Sequence, residues 1–343
     1  MDRNSIFYIL SDDLTGASGV ASMIDNGFTI TVNAKHLKRN FKQEPLCICV
    51  NLRVRESYST EATETALSVL DTIGDDSTVT LRIDSSMRGP IDSLVGVIAR
   101  ERRILLTDTI PEYGRYTSNG ATIFRRKSID ISSKLTNSIR ACADRISVVD
   151  SYSSADLKNL AKFCMKNPLT PVDPGPLISN YYFVLNKNKS NPKLQSTRPR
   201  TKVKRVCFLI GTNNPVTLRQ IQVANPFMRL RSIESSKGAE DSNAKVDAFV
   251  FSLKKARPLM DKHFLQSLVV YDALFLSGGE TANYLLEKSG FQSILNQESI
   301  APLVSTGIVQ GGLLDGKIVV LKGGSIGDDK MFKRIRSWML SHK

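Results

Sequence analysis

A chain of 343 residues with 41% apolar and 23% charged side chains has the composition of a folded enzyme and exceeds the length at which one hydrophobic core usually stops growing, so two domains are expected. No stretch approaches the roughly 20 apolar residues that span a bilayer, which argues against a membrane protein. The formal charge of +14 fits attraction of small anionic ligands, and competes with nucleic-acid binding and with a merely solvated basic surface.

Short β-branched runs alternate with longer amphipathic segments, the pattern of parallel α/β units. The first strand is predicted over 5–10 and runs into Ser11-Asp12-Asp13-Leu14-Thr15-Gly16-Ala17, after which Ala17, Val20, Ala21 and Ile24 recur at helical spacing. Ligands of open α/β sheets bind at the C-terminal ends of strands. Two adjacent carboxylates there suit orienting a hydroxyl, accepting its proton or holding Mg²⁺, and one of them also suits capping the helix. A second strand is predicted over 46–52. It contains Cys47 and Cys49, which share one face as small buried hydrophobes, and ends near Arg53 and Arg55. If that strand continued, the two arginines would point the same way as a carboxylate clamp, with a solvated strand end as the alternative.

The next strand, 78–83, leads into Arg82-Ile83-Asp84-Ser85-Ser86-Met87-Arg88-Gly89, where hydroxyls, a carboxylate and guanidiniums together suit a hydroxy acid. Further strands are predicted over 103–108 and 147–149, with helices over 61–72 and 154–166. Eight Lys or Arg and no acid fall between Lys187 and Arg205, interleaved with Asn, Ser, Pro and Thr. Poor in aromatics, this stretch suits a linker over 187–202 better than an RNA-stacking surface. It divides an N-terminal domain, 1–186, from a C-terminal domain, 203–343.

In the second half, strands are predicted over 205–210, 248–252, 273–277 and 317–321, and helices over 216–223 and 281–288. Three glycine turns follow strands: Gly211-Thr212-Asn213-Asn214-Pro215, Ser277-Gly278-Gly279-Glu280-Thr281, and Gly323-Gly324-Ser325-Ile326-Gly327. Glycine allows close backbone approach and a helix N-terminus offers free N–H groups, so the three together suit a phosphate chain. The candidate nucleotide residues are Thr212, Asn214, Gly278, Gly279, Glu280, Thr281, Gly324 and Gly327. Neither a Walker A loop nor a Gly-x-Gly-x-x-Gly after the first strand occurs. Five scattered cysteines and three isolated histidines give no zinc spacing, disulfide framework or Ser-His-Asp triad.

In this order the motifs resemble those of the four-carbon acid sugar kinase family, which includes threonate, erythronate and 3-oxo-tetronate kinases. The resemblance runs from Asp12-Asp13-Leu14-Thr15-Gly16-Ala17 through Asp84-Ser85-Ser86 with Gly89, Pro111 to Thr117 with Gly114-Arg115, and Val149-Asp150. It continues through Gly278-Gly279-Glu280-Thr281-Ala282 to Lys322-Gly323-Gly324-Ser325-Ile326-Gly327. Val54 stands where relatives commonly have Ser, and Ile326 where Phe is usual. The resemblance implies two α/β domains, each with a largely parallel sheet flanked by helices, and an active site in the interdomain cleft. The N-terminal domain would bind the sugar acid through Asp12, Arg55, Asp84, Ser85, Ser86 and Arg88, and the C-terminal domain would bind ATP with Mg²⁺. Asp13 is favoured as the catalytic carboxylate and Asp12 as the ligand-orienting or structural one. A cytoplasmic enzyme with small anionic partners, no specific nucleic acid and a homodimer as candidate assembly is the expectation. The alternative is a nucleotide- or sugar-acid-binding regulatory protein without turnover.

Overall fold

The computed structural model describes residues 6–24, 29–38, 45–74, 77–187, 203–231, 233 and 245–341. They divide into two compact units, Met1–Lys193 and Leu194–Lys343. Of the basic stretch expected as a linker, Lys187 follows the last helix of the first unit and the rest lies outside the described residues.

The first unit opens with β1 (Phe7–Ser11), α1 (Leu14–Ala21), β2 (Thr29–Asn33), β3 (Cys47–Asn51), α2 (Ser59–Ile73), β4 (Thr78–Arg82), α3 (Ile91–Ala99) and β5 (Ile104–Leu106). A small antiparallel sheet of β6 (Arg115–Ser118), β7 (Ala121–Phe124) and β8 (Lys127–Asp130) follows. Then come α4 (Thr136–Cys142), β9 (Ile146–Val148), α5 (Ser154–Lys166), β10 (Thr170–Asp173) and α6 (Pro176–Asn186). The main sheet runs β2-β3-β1-β4-β10-β5-β9, every pair parallel. Helices cover its faces, so β2, β3 and β10 are buried at every residue, as parallel strands require. Cys47 and Cys49 are free and fully buried in β3. Helix α5 has the predicted bounds because a capping box starts it: the Ser153 hydroxyl accepts from Asp156 N, and the Asp156 carboxylate accepts from Ser153 N at 2.9 Å.

The second unit contains β11 (Val206–Ile210), α7 (Pro215–Ala224), β12 (Arg229–Arg231), β13 (Val246–Val250), α8 (Leu253–Ala256), α9 (Lys262–Ser267) and β14 (Ala273–Ser277). It ends with α10 (Gly279–Lys288), β15 (Ser293–Ala301), β16 (Val304–Gln310), β17 (Ile318–Lys322) and α11 (Met331–Ser341). Strands β12-β13-β11-β14-β17 are parallel, and β16 and β15 extend the sheet antiparallel. Phe208, Phe275 and Phe332 meet edge to face with centroids 4.7 to 5.9 Å apart, fastening α11 to the sheet. Among the described residues no helix is long and apolar enough to cross a membrane.

Candidate functional site

Strand β1 lies between β3 and β4, so the first unit has a topological switch point at its centre, and Ser11 is registered with Asn51 on one side and Arg82 on the other. The residues that leave these three strand ends therefore converge. Leu52 N donates to Ser11 O at 2.8 Å and Val54 N to Asp12 O at 3.0 Å, which ties the segment carrying Arg55 beside the Asp-Asp pair. β3 stops at Asn51, and Arg53 is exposed with a left-handed φ of 63°. Arg53 and Arg55 therefore do not form the clamp that a continuing strand would give. Arg55 alone turns inward.

Arg55 donates from Nε to Asp12 Oδ2 and from Nη2 to Asp12 Oδ1 at 2.8 Å. Its Nη2 also lies 3.1 Å from Asp13 Oδ1, and its Nη1 3.5 Å from Asp84 Oδ1. Arg82 reaches the same pair from β4, with Nη1 3.2 Å from Asp12 Oδ1 and 3.3 Å from Asp13 Oδ1. Arg88 closes the group, donating from Nε to Asp84 Oδ2 at 2.7 Å. Three carboxylates thus face three guanidiniums. Ser85 is buried and Ser86 half-buried in the same turn. Gly89, at φ 80°, brings its backbone so close that a Cβ would stand 3.3 Å from Asp12 Oδ2.

The two aspartates differ in duty. Asp13 is the N-cap of α1: Oδ1 accepts from Gly16 N at 2.7 Å and Oδ2 from the Thr15 hydroxyl at 2.8 Å. Asp12 makes no cap and spends both oxygens on the arginines. Burial pushes the Asp12 carboxyl up more than Arg55 pulls it down. Burial likewise opposes ionisation of Asp13, but the guanidiniums of Arg55 and Arg82 outweigh it and hold that carboxyl below its ordinary value. Asp84, also buried, is held far below the usual carboxylate range, chiefly by Arg55 and Arg88.

A neighbouring polar cluster was not among the site residues chosen from sequence. Asp108, just past β5, is fully buried; its Oδ2 accepts from the Thr122 hydroxyl at 2.8 Å and lies 3.5 Å from Arg115 Nη1, while Oδ1 has no hydrogen-bond partner among the described residues. Burial pushes this carboxyl up to about 7 against the pull of Arg115. Around it Thr107, Thr109, Thr117 and Ser151 share hydroxyl hydrogen bonds of 2.6 to 3.4 Å. The Gly-Arg-Tyr-Thr segment was the available signal, because Arg115 and Thr117 both belong to it.

In the second unit Ile210, Ser277 and Lys322 are in register across β11, β14 and β17, so the three glycine turns start side by side. A Cβ added at Gly211 would lie 2.1 Å from Thr281 Oγ1, one at Gly278 3.2 Å from Thr212 Cβ, and one at Gly324 2.7 Å from Thr212 Oγ1. Thr212, Gly278, Thr281 and Gly324 are therefore brought together. Asn214 caps α7 through Val216 N at 3.0 Å, and its Cβ lies 3.3 Å from a Cβ built at Gly324. Gly279 opens α10, while Glu280 is exposed, 3.5 Å from Arg257. A Cβ at Gly327 would meet Met331, which ties this glycine to the entry into α11. Close-packed glycine backbone at two helix starts fits a phosphate-bearing ligand. Among the described residues no group of three or more His, Cys, Asp and Glu is arranged to hold a metal ion.

Residues 7–134 match the family model of a sugar-binding N-terminal domain, and residues 262–332 that of a nucleotide-binding C-terminal domain. The Asp12 cluster falls within the first; Gly278, Thr281, Lys322 and Gly324 fall within the second. No curated protein matches the sequence. A solved structure from Salmonella typhimurium LT2, provisionally described as a tRNA synthase, superposes with a TM-score of 0.68 at 14% identity, covering 97% of this chain and 99% of that one. A Haemophilus influenzae protein of the DUF1537 family superposes with a TM-score of 0.66 at 16% identity, covering 97% and 100%. At such identities the likeness is one of fold. The chain thus carries a sugar-binding domain followed by a nucleotide-binding one.

Proposed function

We propose that this pairing of a sugar-binding with a nucleotide-binding domain is a kinase that transfers the terminal phosphoryl group of ATP to a hydroxyl of a small four-carbon sugar acid, of the threonate or erythronate kind. The observation that carries the reading is the buried group of Asp12, Asp13 and Asp84 with Arg55, Arg82 and Arg88 at the switch point of the sugar-binding unit. Guanidiniums are what a small acid's carboxylate needs, and carboxylates are what its hydroxyls need. Arg88, half-exposed, is the first positive group an incoming acid meets, with Arg55 behind it.

The sequence favours Asp13 as the base. Because Asp13 is engaged as the cap of α1, the proposal gives proton acceptance to Asp12, which caps no helix and whose carboxyl burial pushes up from its ordinary value. The acceptor hydroxyl gives its proton to Asp12 as its oxygen bonds to the terminal phosphorus; the bond from phosphorus to the bridging oxygen breaks and ADP leaves. The glycine turns at Thr212, Gly278 and Gly324 would hold the phosphates, and Mg²⁺ arriving with ATP would neutralise their charge. Catalysis is then mainly positioning and electrostatics.

The test is ATP consumption over a panel of four-carbon hydroxy acids, with the product identified. ADP release that depends on one such acid, with a matching phosphorylated product, is expected. Binding of acid and nucleotide with no ADP release from any member of the panel would replace the kinase with the regulatory alternative.

A further inference from the structure

Lys322, the last residue of β17, is fully buried, and among the described residues its ammonium has only neutral oxygens as hydrogen-bond partners: Gly323 O at 2.8 Å, Ile326 O at 3.2 Å and Thr217 Oγ1 at 3.4 Å. Thr217, in the first turn of α7, donates its own hydroxyl hydrogen bond to Gly324 O at 2.7 Å. Gln220, one turn along the same helix, donates to Ile326 O at 3.0 Å and Asp328 O at 2.9 Å. The carbonyls of residues 323, 324, 326 and 328 are thus all drawn towards one row of donors, at Lys322, Thr217 and Gln220.

In a trans peptide the C=O of one residue and the N–H of the next point in opposite directions. No cis peptide occurs among the described residues. The N–H groups of Gly324, Ser325 and Gly327 must therefore point away from the donor row, and these three residues are partly exposed. Gly327 sustains the turn with a left-handed φ of 87°. Several outward amides in one turn make a concavity for an anion.

We infer, building on the assignment of this unit to nucleotide binding, that Lys322 is a positioning residue for the nucleotide's phosphates, holding the carbonyls of the loop after β17 inward so that the amides of Gly324, Ser325 and Gly327 face the phosphate chain. The lysine does not touch the ligand. Its buried charge stands behind the peptide planes and favours an anion in front of them. Burial pulls this ammonium down to about 7, and a phosphate group nearby would restore its proton. The ligand class follows from the chemistry: a nucleoside di- or triphosphate gains from the arrangement and an unphosphorylated nucleoside does not.

Calorimetric titration of the full chain with ATP, ADP and adenosine separates these contributions. Lys322→Met should lose at least tenfold in affinity for ATP and for ADP while adenosine binding stays within about twofold, a selectivity that a general loosening of the fold would not produce. Thr217→Val, which deletes only the hydroxyl turned towards Gly324 O, should lose threefold or more and carries the test if Lys322→Met does not fold. Unchanged ATP affinity in the folded variants, with the wild type binding ATP, overturns the inference and leaves the nucleotide assignment standing. A wild type that binds neither ATP nor ADP removes that assignment and the inference together.

Discussion

Arg55 grips Asp12 through two nitrogens, Nε on Oδ2 and Nη2 on Oδ1, with the arginine side chain 11% and the aspartate 2% exposed. Arg55 is therefore already occupied by a carboxylate of its own chain, and on the proposed reading a substrate acid would have to compete with Asp12 for it. Removing one partner leaves the buried group a charge out of balance, with Asp12 held by Arg82 alone or Arg55 by Asp13 and Asp84, so Arg55→Ala or Asp12→Ala alone should cost up to about 3–5 kcal/mol of stability. The double variant should cost less than the sum by a coupling of about 0.5–3 kcal/mol. Urea denaturation of the four proteins measures it, and strict additivity would show that the pair is not coupled.

The division of labour between the aspartates predicts opposite phenotypes. Asp12→Asn should lower kcat by about 10²–10⁴ while ATP affinity survives. Asp13→Ala should lower stability by about 0.5–2 kcal/mol through loss of the α1 cap, and Asp13→Asn, which can still accept from Gly16 N, should recover most of it. A loss of kcat confined to Asp13→Asn would return the base to Asp13.

Among the glycines, Gly324 offers the cleanest test of the nucleotide turns. A valine there brings its Cβ to 2.7 Å from Thr212 Oγ1 and fills the approach to the backbone. ATP affinity should fall at least tenfold with sugar-acid affinity unchanged, both read by calorimetry. Equal ATP affinity in a folded Gly324→Val would place the phosphates elsewhere.

Asp108 makes stability depend on pH in a definite sense. Burial raises its folded pKa to about 7 from an unfolded value near 3.9. Its contribution is therefore fully present below about pH 4 and is lost as pH rises through about 7. Asp173, fully buried as the acceptor for Leu177 N and Ile178 N and likewise pushed up to about 7, acts in the same window. Asp108→Asn should flatten part of the decline between pH 5 and 8 in urea midpoints and leave the share due to Asp173. Parallel pH profiles for variant and wild type would mean that Asp108 titrates alike in both states.

Much of the fold was legible because parallel strands write themselves as short apolar runs ending in polar clusters. β14 and α5 appear at the predicted bounds, and β1, β3, β4, β11 and β17 are each displaced by only one or two residues at an end. β10 escaped notice because Pro171 sits in its middle, a residue that demotes a run from a central strand. β2 carries two threonines and an asparagine, which in isolation look half-exposed, yet all five of its residues are buried. The β6–β7 hairpin was missed although its turn is local: Asn119 and Gly120, both at left-handed φ, join Ser118 to Ala121, while Arg125-Arg126 and Pro302-Leu303, which close the next two hairpins, are not turn pairs that a sequence announces. At the site, adjacency in sequence found Asp12, Asp13, Asp84 and Arg88, but which guanidinium serves which carboxylate depends on strand order. Arg82 became a partner of Asp12 only because β4 lies beside β1, and no local pattern announces that.

The placement of the sulfurs equips the chain with its own clock for opening. Cys47, Cys49, Cys164 and Cys207 are fully buried, and burial pushes the thiols of Cys47, Cys164 and Cys207 up, so the reactive thiolate is scarce in the native state. Cys142, at the end of α4, is only half-buried. An alkylating reagent should therefore mark Cys142 first and reach the others only as structure opens around them. Since Cys207 lies in the second unit and Cys47, Cys49 and Cys164 in the first, peptide mass spectrometry of a labelling time course would time the loosening of each unit separately in the unmodified protein.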